Sequence, residues 1–252
     1  MFQRSSVLNR RMTQKTPGSP GQDPAHVQQL FNQIARRYDL INDLQSFGLH
    51  RLWKRRLVRL ANVQPGDKAL DLCCGTGDLS FALAQNGADV VGLDFSERML
   101  AVADARKTNS QAAKPPQFLR GDAQQLPFPE NSFNIITIGY GLRNLANWET
   151  GLREMLRVAK SGARILVLDF GKPQNPDWRP IYFGYLKLFV PLLGAIVCGD
   201  RAAYAYILSS LKTYPAQLGV EAKMRELGFA HVKTINLLGG AMSINYAEKS
   251  KG

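Results

Sequence analysis

The sequence predicts an α/β fold, a mainly parallel sheet closed by an antiparallel hairpin, and three observations carry that expectation. First, the apolar run Ala69 to Leu72 leads into Gly75-Thr76-Gly77, and seventeen residues past Gly77 a second run, Val90 to Leu93, closes on Asp94. Second, Phe133 to Ile138 and Arg164 to Asp169 read as buried strands, with an amphipathic helix over Trp148 to Ala159 between them. Third, His231 to Leu237 and Met242 to Glu248 flank Gly239-Gly240, a connection so short that the two strands must be antiparallel. Five parallel strands, counting Gln117 to Asp122, and this hairpin make a seven-stranded sheet.

Taken in order, the elements begin with Met1 to Gln22, which hold no acid, little apolar periodicity and a Thr16-Pro-Gly-Ser-Pro-Gly21 stretch. Such a segment cannot bury enough surface to order itself, so residues 1–24 are expected to form a flexible basic tail. An Arg- and Ser-rich start also fits a short targeting peptide, and Met12 is an alternative start. Residues 25–252 form the domain. Its first part, 25–62, reads as a helical cap, with Val27, Leu30, Phe31 and Ile34 at helical spacing. From His50 to Leu60, the residues Leu52, Trp53, Leu57 and Leu60 recur among basic ones. That pattern suits a helix on an anionic surface, or a solvated basic face on a core-packed helix.

Farther on, Ile181 to Val197 is apolar and aromatic but spans seventeen residues, broken by Lys187 and Pro191. A spanning helix needs about 20, so residues 172–215 are expected to form a helical substrate cover, with no transmembrane segment. Ala216 to Leu227 reads as a helix, with Gly228 as its C-terminal cap.

Composition sets the surroundings. A chain of 252 residues with 45% hydrophobic content supports one domain with a sizeable core. Lys and Arg number 32 against 20 acids, a net charge of +12 that implies an anionic partner or surface. Residues 1–60 hold eleven basic and three acidic residues, so much of the surplus sits early. Three cysteines make no disulfide framework, and adjacent Cys73 and Cys74 lack zinc spacing, which points to a reducing, cytoplasmic compartment.

The glycine pair lets the backbone turn tightly and approach a ligand, and Asp94 at the end of the next strand suits a ribose diol. In the dinucleotide fingerprint a small residue follows three places after the second glycine; here that place is Ser80, which disfavours NAD. Asp71, Asp94 and Asp122 around one pocket would repel a pyrophosphate. They suit a nucleoside with a cationic amino acid part and no phosphate, which describes S-adenosylmethionine. Asp94 is assigned to the ribose, Asp122 to the adenine amino group, and Asp71, through Gly75, Thr76 and Gly77, to the methionine end. The plainer reading keeps the glycines as a turn and the aspartates as helix caps.

Four motifs then carry a resemblance: Tyr38 to Lys54, Asp71 to Leu79, Gly141-Leu-Arg143-Asn144, and Arg157 to Gly162. Over Val27 to Tyr246 the chain resembles the ubiquinone/menaquinone biosynthesis C-methyltransferase family. Within it, the double cysteine is similar to that of members from oxygenic phototrophs, which methylate demethylphylloquinone. The resemblance implies a class I S-adenosylmethionine-dependent methyltransferase fold (Rossmann-like), and methyl transfer to a ring carbon of a prenylated or phytylated naphthoquinol or benzoquinol. It places cofactor contacts at Thr76, Asp94, Asp122 and Ala123. A further family position, commonly serine, falls on Gly139, and Lys160-Ser-Gly-Ala163 stands where the family has Lys-Pro-Gly-Gly.

Chemistry narrows the rest. An aromatic carbon attacks a sulfonium methyl only when electron-rich, so the acceptor should be the reduced quinol. A phenol near pKa 10 needs a base or a cation for its oxyanion. Arg143 is expected to be that cation, with a loop-holding salt bridge as its alternative. His50 is the expected base, or else a structural contact. Tyr38 covers the methionine end or belongs to the core. Neither Cys73 nor Cys74 is expected to act as a nucleophile. The expected partners are a lipophilic quinol and a membrane surface met peripherally, without nucleic acid. The rival function is RNA methylation, which the basic charge would suit.

Overall fold

The computed structural model describes residues 24–198 and 202–251, so the expected tail lies outside the described residues except for Pro24, which opens the first helix. Three helices come first: α1 (Pro24–Ile34), α2 (Tyr38–Ser46) and α3 (Leu49–Ala61). Between the last two, Phe47 and Gly48 both take left-handed backbone, φ 51° and 75°. Glycine enters that region without a Cβ penalty, so Gly48 supports the sharp reversal into α3.

The sheet strands are β1 (Lys68–Leu72), β2 (Asp89–Asp94), β3 (Gln117–Arg120), β4 (Phe133–Gly139), β5 (Ala159–Phe170), β6 (Ala230–Leu237) and β7 (Met242–Glu248). Their spatial order is β3-β2-β1-β4-β5-β7-β6. The first five run parallel, and β7 is antiparallel to both β5 and β6. This is the expected seven-stranded sheet with its terminal hairpin. Helices α4 (Asp78–Gln85), α5 (Glu97–Arg106) and α6 (Trp148–Val158) alternate with the parallel strands. After β5 come α7 (Trp178–Cys198), α8 (Ala202–Thr213) and α9 (Ala216–Glu226).

Successive strand side chains point to opposite faces, so the sheet builds two cores. Leu70, Leu72, Ile136, Ile138, Ile165 and Val167 share one cluster. Ala69, Ile135, Leu166, Leu168 and Ile244 share the other, beneath Leu57, Val58 and Ala61 of α3. That arrangement corrects the face expected of α3: Leu57 is buried, whereas Leu52 is 53% exposed. Five residues turn a helix through well over one revolution, so Leu52 and Leu57 cannot lie on one stripe. Strand β5 is also longer than expected at its start. It pairs Phe133 with Ala159, shifts register, then pairs Ile135 with Arg164, absorbing the Lys160-Ser161-Gly162 segment as an irregularity. Gly228 takes φ 83° just past α9, and its N–H reaches the carbonyl of Arg225, a helix stop of the expected kind. No helix among the described residues is long and apolar enough to cross a membrane.

Candidate active site

Strand order reverses direction at β1, between β2 and β4, and ligands of such sheets sit beyond the carboxyl ends of the strands at that point. A cavity lies there, and its wall includes Gly75, Asp94, Asp122, Ala123 and Gly139, five of the residues singled out from sequence. Gly75 takes φ 55° and donates its N–H to Asp94 Oδ2 at 2.9 Å. The N–H of Ser96 donates to Asp94 Oδ1, also at 2.9 Å. Asp94 thus ties the glycine loop to the start of α5 and still has lone pairs for a diol. Burial pushes its carboxyl above the usual range despite these bonds. Asp122 is exposed at the rim, its Oδ1 accepting the N–H of Gln124 at 2.8 Å.

The remaining loop residues do other work. Asp71 and Thr76 border a small neighbouring recess with Lys54 and Asp78. Asp71 is fully buried and accepts hydroxyl bonds from Ser80 at 2.6 Å and Thr137 at 2.8 Å. Desolvation carries its pKa to about 6. Both of its carboxylate oxygens are thus engaged inside the protein, and neither is left to face the cavity directly. Gly77 lines neither space. It takes φ 87°, and a Cβ there would meet Phe118 Cζ at 2.8 Å, so packing of α4 on the sheet requires glycine. Thr76 Oγ1 donates to Asp39 Oδ1 at 2.9 Å, and Arg106 bonds the Thr76 carbonyl, Asp39 and Asp78. Helix α2 is thereby latched onto the glycine loop.

The residues present fit S-adenosylmethionine. Phe31, Phe95 and Met99 supply apolar walls for a base, Asp94 and Asp122 supply the carboxylates, and no Lys or Arg stands among the described lining residues. A phosphate would find no counter-charge there, whereas a sulfonium and an ammonium would. Cys73 also borders the cavity, but burial pushes both Cys73 and Cys74 thiols well above their ordinary pKa, which leaves them protonated and poor nucleophiles.

A second, more apolar cavity opens between α2, α3, α7 and the β6–β7 turn, walled by Phe47, Trp53, Phe170, Trp178, Tyr182 and Tyr185 among others. Tyr140 is in the wall of both cavities. His50 borders the apolar one and is 3% exposed. Its Nε2 lies 2.8 Å from Asp43 Oδ1, and its buried Nδ1 has no hydrogen-bond partner among the described residues. Asp43 is gripped in turn by Arg51, at 2.8 and 2.6 Å, and these contacts hold its carboxyl down to about 2. Burial lowers the pKa of His50 below its ordinary 6.5, outweighing the opposing pull of Asp43.

Arg143 makes the loop-holding salt bridge that was its alternative reading. It is 5% exposed, pairs with Asp169 Oδ1 at 2.6 Å, donates to the Tyr140 carbonyl at 2.6 Å, and lies 4.7 Å from the Phe170 ring centroid. It lines neither cavity, because a buried guanidinium needs a buried carboxylate and β5 supplies one. Tyr140, Asp43 and Asp39 went unread in the sequence. The one signal for Tyr140 was its place between Gly139 and Gly141, in a turn at a strand end.

The profile of the ubiE/COQ5 methyltransferase family matches residues 20–249. The chain belongs to that family. It is 41% identical over 222 residues to a ubiquinone/menaquinone biosynthesis C-methyltransferase from Ectopseudomonas mendocina, covering 87% of each chain. To a demethylmenaquinone methyltransferase from Beutenbergia cavernae it is 40% identical over 227 residues, covering 90% of this chain and 92% of that one. Among solved structures, magnesium protoporphyrin IX methyltransferase from Synechocystis, with bound S-adenosylhomocysteine, shares the fold. It has a TM-score of 0.66 at 21% identity, over 90% of this chain and all of that one. The chain is therefore an S-adenosylmethionine-dependent methyltransferase. Membership of this family lends nothing to the RNA alternative.

Proposed function

We propose that this methyltransferase alkylates a ring carbon of a prenylated or phytylated naphthoquinol, converting demethylphylloquinol to phylloquinol. The observation that carries the reading is the aromatic-lined cavity that shares Tyr140 with the cofactor site and holds His50 in its wall. Relatives named for demethylmenaquinone and ubiquinone/menaquinone methylation support the quinol class. The Cys73-Cys74 pair favours the phytylated acceptor.

Asp94 and Asp122, with Gly75, Ala123 and Gly139, would hold the cofactor, which when bound supplies a methyl group on a sulfonium leaving group. With Nε2–H donated to Asp43, His50 in the wall of the apolar cavity keeps Nδ1 as an unpaired acceptor, and its lowered pKa keeps it neutral at neutral pH. His50 accepts the proton of the hydroxyl beside the reacting carbon. The ring carbon forms its bond to the methyl group, and the hydrogen it carried leaves as a proton when the ring regains aromaticity. Arg143 acts in this scheme as a positioning residue, fixing the Tyr140 carbonyl, rather than as a cation facing substrate.

The same reading covers the membrane. Phe47, in the wall of the apolar cavity, and Ile181, Leu188 and Leu192 of α7 are 73%, 62%, 72% and 48% exposed, and Phe47 stacks on Phe189 at 6.0 Å. On α3, Arg51, Arg55, Arg56 and Arg59 are exposed as well. Exposed apolar side chains together with a basic helix suit peripheral contact with anionic lipid, from which a tailed quinol could be drawn.

The test is methyl transfer from labelled S-adenosylmethionine to demethylphylloquinone in liposomes, with and without dithionite, against demethylmenaquinone and a benzoquinone acceptor. Label in product only under reduction, and fastest with the phytylated naphthoquinone, is expected. Preference for another quinol would remove the phylloquinone assignment, and no transfer to any quinol would remove the class.

A further inference from the structure

The geometry assigns the Tyr140 hydroxyl as the hydrogen-bond donor to the quinol oxygen beside the methyl-accepting carbon, an inference that rests on the quinol reading above. Tyr140 lies in the wall of both cavities, the place where the accepting carbon has to meet the methyl group. The oxygen that activates that carbon is attached to its immediate neighbour in the ring, so it too lies at this junction.

Everything about Tyr140 except its hydroxyl is satisfied. Its N–H donates to the Leu168 carbonyl at 2.7 Å, and its own carbonyl accepts from Arg143 at 2.6 Å and from the Asn144 side chain at 3.0 Å. Its ring meets Phe170 edge to face at 6.0 Å, with the Lys54 ammonium 5.9 Å from its centroid. These contacts hold a non-glycine residue at φ 61°, a left-handed conformation that persists only where its surroundings enforce it. The hydroxyl at the end of this fixed ring is buried and has no hydrogen-bond partner among the described residues. Buried hydroxyls are ordinarily paired, and one left unpaired on a residue that walls two ligand-sized cavities marks where a ligand oxygen belongs. Burial also raises the phenol well above its ordinary pKa, so it stays protonated and has a proton to donate.

As His50 removes the hydroxyl proton, negative charge grows on the acceptor oxygen. A donor already aimed at that point strengthens its bond in the transition state more than in the ground state. Phenylalanine at 140 would keep the ring and its packing and lose only this bond.

The experiment compares wild type with Tyr140→Phe in labelled methyl transfer to demethylphylloquinol. It follows kcat against pH, cofactor affinity by calorimetry and thermal midpoint. Expected is a fall in kcat of about 10²-fold and a rise in the pH at which kcat climbs, with cofactor affinity and midpoint unchanged. A ring-halogenated, more acidic naphthoquinol should recover part of the loss. Difluorotyrosine at 140, which keeps the hydroxyl and makes it a stronger donor, should move the same pH profile the opposite way. Wild-type kcat and pH profile in both variants overturns the assignment and leaves the quinol reading standing. So does a loss that follows the thermal midpoint alone. Failure of the wild-type enzyme on every quinol overturns both.

Discussion

His50 and Arg143 exchange importance once their neighbours are known. Both were legible as chemical types, but Asp169 lies 26 residues from Arg143 on an adjacent strand, and no local pattern announces that pairing. Tyr140 was hidden for a different reason: an aromatic residue beside a buried strand reads as core, and only the junction of two cavities distinguishes it. For His50 the expectation is kinetic. His50→Gln should lower kcat by about 10²-fold or more while leaving cofactor affinity intact. In the wild type, kcat should fall with acid as the imidazole protonates, with a midpoint below 6.5 because burial opposes the charge. Asp43 pulls that pKa upward, so Asp43→Asn should move the acid limb to lower pH and reduce its plateau by loosening the tautomer, as a kcat–pH profile would show. An unmoved limb would disqualify His50 as the base. Asp169→Ala should cost about 3–5 kcal/mol, since it strands a buried cation, measured as a shift of the denaturation midpoint at constant slope.

At the level of elements, strand existence and pairing were readable because each strand of a covered sheet is a short apolar run. The glycine loop and the terminal hairpin were readable because turn chemistry is local. Helix faces were less so. The stripe assigned to α3 mixed Leu57, which enters the core, with Leu52, which does not. Trp53 and His50 instead face the apolar cavity, a surface that exists only once α7 packs across α2. On α7 the buried set Tyr182, Leu186 and Val190 recurs every four residues, with Leu188 and Phe189 directed outward. Replacing Arg55, Arg56 and Arg59 with Glu should lower partition onto vesicles containing phosphatidylserine by at least tenfold, at about 1 kcal/mol per basic residue. It should leave turnover of a short-tailed, detergent-dispersed quinol unchanged. Equal partition of variant and wild type onto those vesicles in a sedimentation assay would remove α3 from the membrane contact.

Across the whole molecule, buried carboxylates set opposing responses to pH. Asp71 has a folded-state pKa of about 6 against an ordinary 3.8, so the native state binds its proton more tightly than the unfolded chain. Its contribution is full below 3.8 and is lost as pH rises through the window to 6, a decline of about 3 kcal/mol at 1.36 kcal/mol per unit. Asp71→Asn should flatten that slope in denaturant titrations at pH 5 and pH 7.5. Asp78 behaves oppositely: burial would raise it, but Lys54 and Arg106 together hold it to about 2, so its contribution disappears as pH falls from 3.8 toward 2. The two cavities are joined by more than Tyr140. Tyr38 at one end of α2 borders the first cavity, Asn42, Gln45 and Ser46 border the apolar cavity, and Tyr185 of α7 donates to the Gln45 carbonyl. A helix of nine residues cannot adjust one wall and leave the other still. Binding in one cavity should therefore alter affinity in the other, each ligand changing the other's affinity by the same factor, as thermodynamic linkage demands.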